Sequence, residues 1–179
     1  YLESRGHVAA ARRVAQYLRR TPLGAARELR GPVGERNLRA VRARGAILAL
    51  AQTSGGALMQ IGAILATGNT ALIVADNPAA AELAALPQDL RAQLQSCPDW
   101  RQGAAIAGVL YEGDDATALQ AIVRQLASLD GPVVQIQSAT VAGLATGAED
   151  YSLQALLEEV SVSTNTAAAG GNAQLMTLG

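Results

Sequence analysis

Short apolar runs alternate with amphipathic stretches from Arg44 to about residue 162, and this alternation constrains the fold more than any other feature. The runs GAILALA, NTALIVAD, AAIAGVLYEG and PVVQIQ have the length and composition of buried strands. Strands and helices that alternate through short connections build parallel sheets with right-handed crossovers. The sequence therefore predicts an α/β fold with a Rossmann-like, doubly wound, mainly parallel open sheet, preceded by a basic helical segment.

Capping residues place the predicted helices between these strands. Ser54 is a candidate N-cap and Gly68 a C-terminal stop for SGGALMQIGAILATG; Asn77 and Pro78 open a second helix that Pro87 interrupts. Asp114 or Asp115 caps a third helix. The spacing of apolar residues in YSLQALLEEV predicts a fourth helix, followed by a short strand at SVSTN.

Charge is divided unevenly along the chain. Residues 1–44 hold eleven of the 14 arginines against three glutamates, and the sequence has no lysine. Arg5, Arg12, Arg13, Arg19 and Arg20 recur on one side of a predicted helix, which indicates a solvated or partner-facing surface. A basic segment can also bind nucleic acid, but only Tyr1 and Tyr17 stand among these arginines, so nucleic acid is not expected as a partner.

Residue types that support catalysis or ligand binding are sparse. Cys97 is the only cysteine and has no base near it in sequence, so we expect a buried apolar residue and, with no disulfide, a reducing cytoplasm. Gly55 and Gly56 lack the spacing of a phosphate-binding loop, so a tight turn that requires small residues is expected there. Glu112, Asp114 and Asp115 are expected to cap the following helix, and His7 to be solvated. The sequence thus predicts no metal and no catalytic residue.

Two long segments carry a resemblance to a known family. ALMQIGAILATGNTALIVADNPAAAELAAL and LYEGDDATALQAIVRQLASLDGPVVQIQSAT resemble consecutive units of the aldehyde dehydrogenase cofactor domain. With GPVGERN and the closing STNTAAAGGNAQLMTLG, the chain resembles the C-terminal domain of the long, bifunctional proline utilisation A family of bacteria. That family oxidises proline to glutamate, which implies an oxidoreductase parent with FAD and NAD in other domains.

The resemblance also implies what the chain lacks. Working aldehyde dehydrogenases have a cysteine nucleophile and a glutamate in a glycine-rich setting, and neither motif is present. The lysine that holds the adenine ribose falls at Val74, and the turn QSATVAG has Ser138 where glycine would admit a pyrophosphate. We therefore expect no catalytic residue and no cofactor in this domain.

The C-terminal stretch NTAAAGGNAQLMTLG is apolar and uncharged, unlike most disordered tails, and is expected to lie against another surface. The resemblance implies a lid over a cavity shared by two active sites. The predicted lid and interaction residues are Ser163, Thr164, Asn165, Thr166, Ala167, Ala168, Ala169, Gly170, Gly171, Asn172, Ala173, Gln174, Leu175, Met176, Thr177, Leu178 and Gly179.

These observations predict three parts: a basic helical segment and connecting arm at 1–44, a Rossmann-like α/β domain at 45–162, and a tail at 163–179. Because the chain starts at Tyr1, we expect a fragment of a longer protein. The function implied is a non-catalytic scaffold and lid that packs on the pyrroline-5-carboxylate dehydrogenase module of the same parent chain. Exposed interface surface would favour self-association of the fragment. The alternative is a vestigial nucleotide-binding regulatory domain that retains affinity for NAD or a nucleotide.

Overall fold

A computed structural model describes residues 1–31, 34–102 and 105–165 of the 179-residue chain. The helices are α1 (Val8–Arg20), α2 (Ser54–Ala66), α3 (Ala80–Ala84), α4 (Gln88–Arg91), α5 (Ala116–Ala127) and α6 (Val141–Thr146). The strands are β1 (Ala26–Leu29), β2 (Glu35–Ala43), β3 (Ala46–Leu50), β4 (Thr70–Ile73), β5 (Leu94–Ser96), β6 (Gly108–Glu112), β7 (Gln135–Ala139) and β8 (Leu157–Asn165). Short 3-10 helices cover Glu3–Arg5 and Gln154–Leu156.

The predicted parallel sheet is present. Its five strands lie in the order β5-β4-β3-β6-β7, and all four neighbouring pairs are parallel. The α/β, Rossmann-like fold is therefore confirmed, with β3 at its centre. Strand β5 and helix α6 add to the predicted elements, and Pro87 divides the helix predicted after Pro78 into α3 and α4.

Side chains from both faces of this sheet enter a core, as expected when helices cover both sides. Ile47 and Ala49 of β3 pack in one cluster with α1, α2 and α6, while Leu48 packs in a second cluster with residues of α5. Helix α2 is buried almost all round because α1 lies on its outer side, where Gly62 leaves room for Val14. Alternate residues of β3 thus contribute to the hydrophobic core on both faces of the sheet.

A second sheet lies outside the predicted architecture. Strands β1, β2 and β8 pair antiparallel in that order, and β2 and β8 are matched along nine residues from Glu35 with Asn165 to Ala43 with Leu157. One prediction is wrong here. The fourth helix predicted in YSLQALLEEV is a 3-10 turn followed by β8. In the predicted basic helical segment and connecting arm, residues 8–20 form an α-helix and residues 26–43 contain two strands.

The stretch YSLQALLEEV is too short for its helical spacing to be decisive, which explains the error. Its second half enters β8, where Glu158, Glu159 and Val160 are half-buried, exposed and half-buried in turn, and pairing with β2 satisfies the backbone groups. Local periodicity over so few residues does not decide between the two structures.

Candidate site at the carboxyl edge of the parallel sheet

The strand order creates a crevice where ligands usually bind in open α/β sheets. The chain leaves β3 for β4 on one side, while β6 lies on the other side of β3. Connections that depart in opposite directions leave a gap at the carboxyl ends of the two strands. A cavity of about 150 Å³ lies at this edge. Its walls are formed by Leu50, Ala51, Gln52, Val74, Asp76, Trp100, Arg101, Tyr111, Glu112 and Ile122.

The carboxylate of Glu112 occupies the inner end of the crevice. It is 1% exposed and reaches from the end of β6 to the start of α2. Its Oε2 accepts hydrogen bonds from the backbone N–H groups of Gln52 and Thr53, each at 2.9 Å. Its Oε1 accepts a bond from the hydroxyl of Thr53 at 2.7 Å. A buried carboxylate therefore has hydrogen-bond donors for both oxygens.

The sequence before α2 is shaped to receive this carboxylate. Thr53, rather than the predicted Ser54, is the N-cap, and its Oγ1 accepts a bond from the Gly56 N–H at 2.9 Å. A Cβ atom on Gly56 would lie 2.1 Å from the Glu112 carboxylate, whereas one on Gly55 would meet nothing closer than 4.0 Å. Gly56 thus provides space for a side chain of the protein itself.

Aromatic side chains narrow the outer part of the crevice. Trp100 is 3% exposed, and the Arg101 guanidinium lies 4.9 Å from the centre of its ring. The hydroxyl of Tyr111 is buried without a hydrogen-bond partner among the described residues. Burial raises the pKa of Tyr111, and the nearby carboxylates of Asp115 and Asp114 raise it further. The remaining space is smaller than the roughly 300 Å³ at which ligand pockets begin.

The predicted roles of the acidic residues are partly corrected by these contacts. Asp115 does cap α5, since its Oδ1 accepts bonds from the N–H groups of Thr117 and Ala118 at 2.8 and 3.2 Å. Glu112 instead accepts hydrogen bonds at the start of α2, although β4 and β5 lie between the two in the sequence. Asp114 accepts a bond from the backbone N–H of Val141, the first residue of α6, at 3.1 Å.

Other predicted positions also have a definite place. Val74 lines the cavity, but Ser138 lies within β7 rather than in the turn after it. Cys97 is buried as predicted, and this burial, followed by the charge of Asp99, raises the pKa of its thiol. A raised thiol pKa opposes thiolate formation, so the geometry does not favour a nucleophile. His7 lies 3.6 Å from Glu82.

One arginine predicted to be solvated is instead part of an internal network. Arg13 pairs with Asp150 at 2.8 Å, and the hydroxyl of Tyr17 donates to the same carboxylate at 2.5 Å. Tyr17 is 1% exposed, whereas Leu18, the next residue, is 62% exposed. The network fixes α1 against the loop before β8.

The antiparallel sheet presents an exposed surface to solvent. Cross-strand register places Leu38, Ala40, Val160 and Val162 together on one face, and Val162 is 51% exposed. Two ion pairs flank this apolar strip, Arg42 with Glu158 at 2.5 Å and Arg36 with Glu28 at 3.4 Å. Among the described residues β8 pairs only with β2, so its outer edge is open. An apolar strip with a charged rim beside an open strand edge is typical of a docking surface.

The predicted lid falls mostly outside the described residues. Ser163, Thr164 and Asn165 form the end of β8, where the hydroxyl of Ser163 donates to Asn37 at 2.5 Å. Residues 166–179 lie outside the part of the chain that the structure describes. The interaction role of these residues stays a prediction.

The described ranges lack a metal cluster and a membrane-spanning helix. These ranges contain no cluster of three or more His, Cys, Asp or Glu side chains arranged to hold a metal ion. Their helices are also too short, or too polar, to cross a lipid bilayer.

Comparison with known proteins supports the resemblance seen in the sequence. The bifunctional protein PutA of Rhizobium meliloti is 45% identical over 157 residues, which cover 88% of this chain and 13% of that protein. Its counterpart in Escherichia coli K12 is 36% identical over 165 residues, 92% of this chain and 12% of that protein. This chain is homologous to a segment of PutA. It spans about an eighth of the length of these PutA proteins.

Solved structures agree on the fold. A proline utilization A (PutA) mutant from Bradyrhizobium japonicum matches 74% of this chain and 15% of its own with a TM-score of 0.57 at 24% identity. A 3,6-anhydro-L-galactose dehydrogenase matches 75% of this chain and 31% of its own with a TM-score of 0.53 at 19% identity. The PutA segment thus has an aldehyde dehydrogenase-like fold. No protein-family model matches the chain.

Proposed function

We propose that this PutA segment is the C-terminal, non-catalytic scaffold and lid domain of a bifunctional proline dehydrogenase and pyrroline-5-carboxylate dehydrogenase. In this proposal it packs on the dehydrogenase module of the same cytoplasmic parent chain, and its tail closes the cavity through which the intermediate passes. FAD and NAD act in other domains. The observation that carries the proposal is the β1-β2-β8 sheet, which offers an apolar strip and an open edge and ends at the first residues of the tail.

The surface chemistry of this sheet suits a permanent neighbour. Val160 and Val162 supply an apolar centre, and the flanking arginine and glutamate pairs leave hydrogen-bonding capacity at the rim. A strand added to β8 would satisfy its outer backbone groups. The length of the homologous PutA proteins, about eight times the matched segment, leaves room for that neighbour within one chain.

The crevice supports the non-catalytic part of the proposal. Glu112 and Trp100 occupy part of the crevice at the carboxyl ends of the strands, where open α/β sheets bind ligands, and burial and the Asp99 charge raise the pKa of the Cys97 thiol. The alternative of a regulatory nucleotide site has less support, because the space left is about 150 Å³.

Docking through the antiparallel sheet is tested with a pair of neighbouring variants. Val162→Asp places a carboxylate in the apolar strip, and Ser161→Asp, on the opposite face beside Arg39, is its control. We expect Val162→Asp to weaken binding of the 179-residue chain to a separately expressed dehydrogenase module at least tenfold in calorimetry, because the charge would lose water on docking. Equal affinities for both variants would place the interface elsewhere.

The lid role is tested in the parent enzyme by ending the chain after Asn165, which keeps the pairing of β8 with Glu35. The lag before NADH appears from proline is compared with the rate on added pyrroline-5-carboxylate. A longer lag with an unchanged second rate supports a lid, and loss of both rates indicates a structural brace. If neither rate changes, the tail has no part in channelling.

A further inference from the structure

We propose that the carboxyl edge of the parallel sheet carries built-in anions, and that the Glu112 carboxylate is the permanent ligand of the α2 N-terminus, in the position where a phosphate group binds in open nucleotide-binding sheets. The inference goes beyond the scaffold function, which does not depend on it. Its consequence is that the wild-type crevice rejects phosphate and nucleotides, whereas a chain without this carboxylate accepts a small anion there.

The geometry around Glu112 is that of a bound anion. Free backbone N–H groups at a helix start, together with a hydroxyl, form the usual cradle for phosphate or carboxylate. Here Thr53, the N-cap of α2, and Gln52, the residue before it, donate three bonds of 2.7–2.9 Å to the side chain, which is 1% exposed. A Cβ on Gly56 would overlap the carboxylate, so glycine at this position leaves the space that the Glu112 side chain occupies.

The starts of α5 and α6, at the same edge of the sheet, also donate hydrogen bonds to carboxylates of the chain. Asp115 accepts bonds from two N–H groups at the start of α5. At the start of α6, Glu149 accepts a bond from the Thr140 N–H at 2.5 Å, and Asp114 accepts one from Val141. The helices that follow β3, β6 and β7 at this edge, namely α2, α5 and α6, therefore each have a carboxylate from the chain itself. An approaching phosphate would meet bonded donors and like charge.

Arg101 is the one cation among the described residues that line the cavity, and its charge already interacts with two neighbouring side chains. Its guanidinium lies over the Trp100 ring and 3.6 Å from Asp99. The crevice therefore offers an incoming anion little compensation for the repulsion.

Chemical rescue tests the inference. In Glu112→Ala the cradle is empty, so sodium formate or inorganic phosphate should raise the unfolding midpoint by roughly 2–4 °C above sodium chloride of equal ionic strength. In Glu112→Gln the amide fills the same space, and no anion-specific rise is expected. The wild-type chain should show neither a midpoint shift with phosphate nor heat of binding with NAD.

Each outcome decides the question. Equal midpoints for Glu112→Ala in formate, phosphate and chloride would overturn the inference, as would saturable binding of phosphate or NAD by the wild-type chain. If Glu112→Ala fails to fold in chloride, its refolding yield in formate becomes the measurement, and failure there while Glu112→Gln folds would also overturn it. None of these results changes the docking test with Val162→Asp, so the two proposals fail separately.

Discussion

At the scale of single residues, the chain's function-related features depend on groups whose partners are distant in sequence. Glu112 contacts Thr53, Tyr17 contacts Asp150, and Arg39 contacts Glu159. Gly55 and Gly56 were predicted from sequence as a turn requiring small residues. The structure shows that only Gly56 has such a requirement, and that its cause is a glutamate 56 positions away.

This difference between two adjacent glycines gives a prediction about stability. Gly56→Ala should lower the free energy of unfolding by about 1–3 kcal/mol, because its methyl group would displace the Glu112 carboxylate. Gly55→Ala, in the same turn with open space around it, is the control and should be neutral or slightly stabilising. Urea denaturation of both variants measures the difference. Equal losses would show that the helix start, and not the carboxylate, sets the requirement.

At the scale of elements, the two sheets are connected through a buried asparagine. Asn69 is 1% exposed and stands between α2 and β4. Its Oδ1 accepts a bond from the Gly45 N–H, and its Nδ2 donates to Leu156 O and to Thr67 Oγ1, each at 2.8 Å. One side chain thereby links the start of β3 to the 3-10 turn that precedes β8.

Asn69→Ala should therefore cost about 2–3 kcal/mol, because it leaves buried donors and acceptors without partners. Asn37→Ala removes a single exposed bond to Ser163 and should change the free energy by less than about 0.5 kcal/mol. Chemical denaturation followed by circular dichroism compares the two. A similar small loss for both would mean that the sheets are joined mainly by packing.

At the scale of the whole molecule, two buried tyrosines make stability depend on alkaline pH. Burial, followed by the bond to Asp150, raises the pKa of Tyr17, and burial also raises the pKa of Tyr151. Tyr151 accepts a bond from Gln60 at 3.0 Å and donates one to the Tyr111 carbonyl at 3.2 Å. The folded chain therefore holds these protons more tightly than the unfolded chain does.

Since the unfolded tyrosine pKa is about 10, the stabilisation is fully present below that pH and declines as pH rises above it. We expect the unfolding midpoint to fall steeply above about pH 10. Tyr17→Phe should reduce this steepness while Tyr1→Phe, at an exposed position, should not. Thermal unfolding over an alkaline pH series provides the measurement, and parallel curves for all three chains would contradict the expectation.

Self-association also belongs to this scale and stays a prediction. The exposed strip around Val162 would be buried by a second copy if the natural neighbour is absent. Sedimentation at several concentrations should then show a dimer that Val162→Asp weakens and Ser161→Asp leaves intact.

The sequence by itself determined the parallel sheet, four of its five strand segments, a cap at Asp114 or Asp115 and the burial of Cys97, because these follow from local apolar patterns and local hydrogen bonds. It also indicated the homology to PutA, through motifs that are continuous in the chain. The sequence predicted a strand at residues 161–165, but only the tertiary structure decided that it begins at Leu157, since its partner β2 lies more than a hundred residues earlier. The same holds for Glu112: whether it caps the next helix or fills the crevice at α2 depends on which strands are neighbours, and strand order is a long-range property that no local pattern encodes.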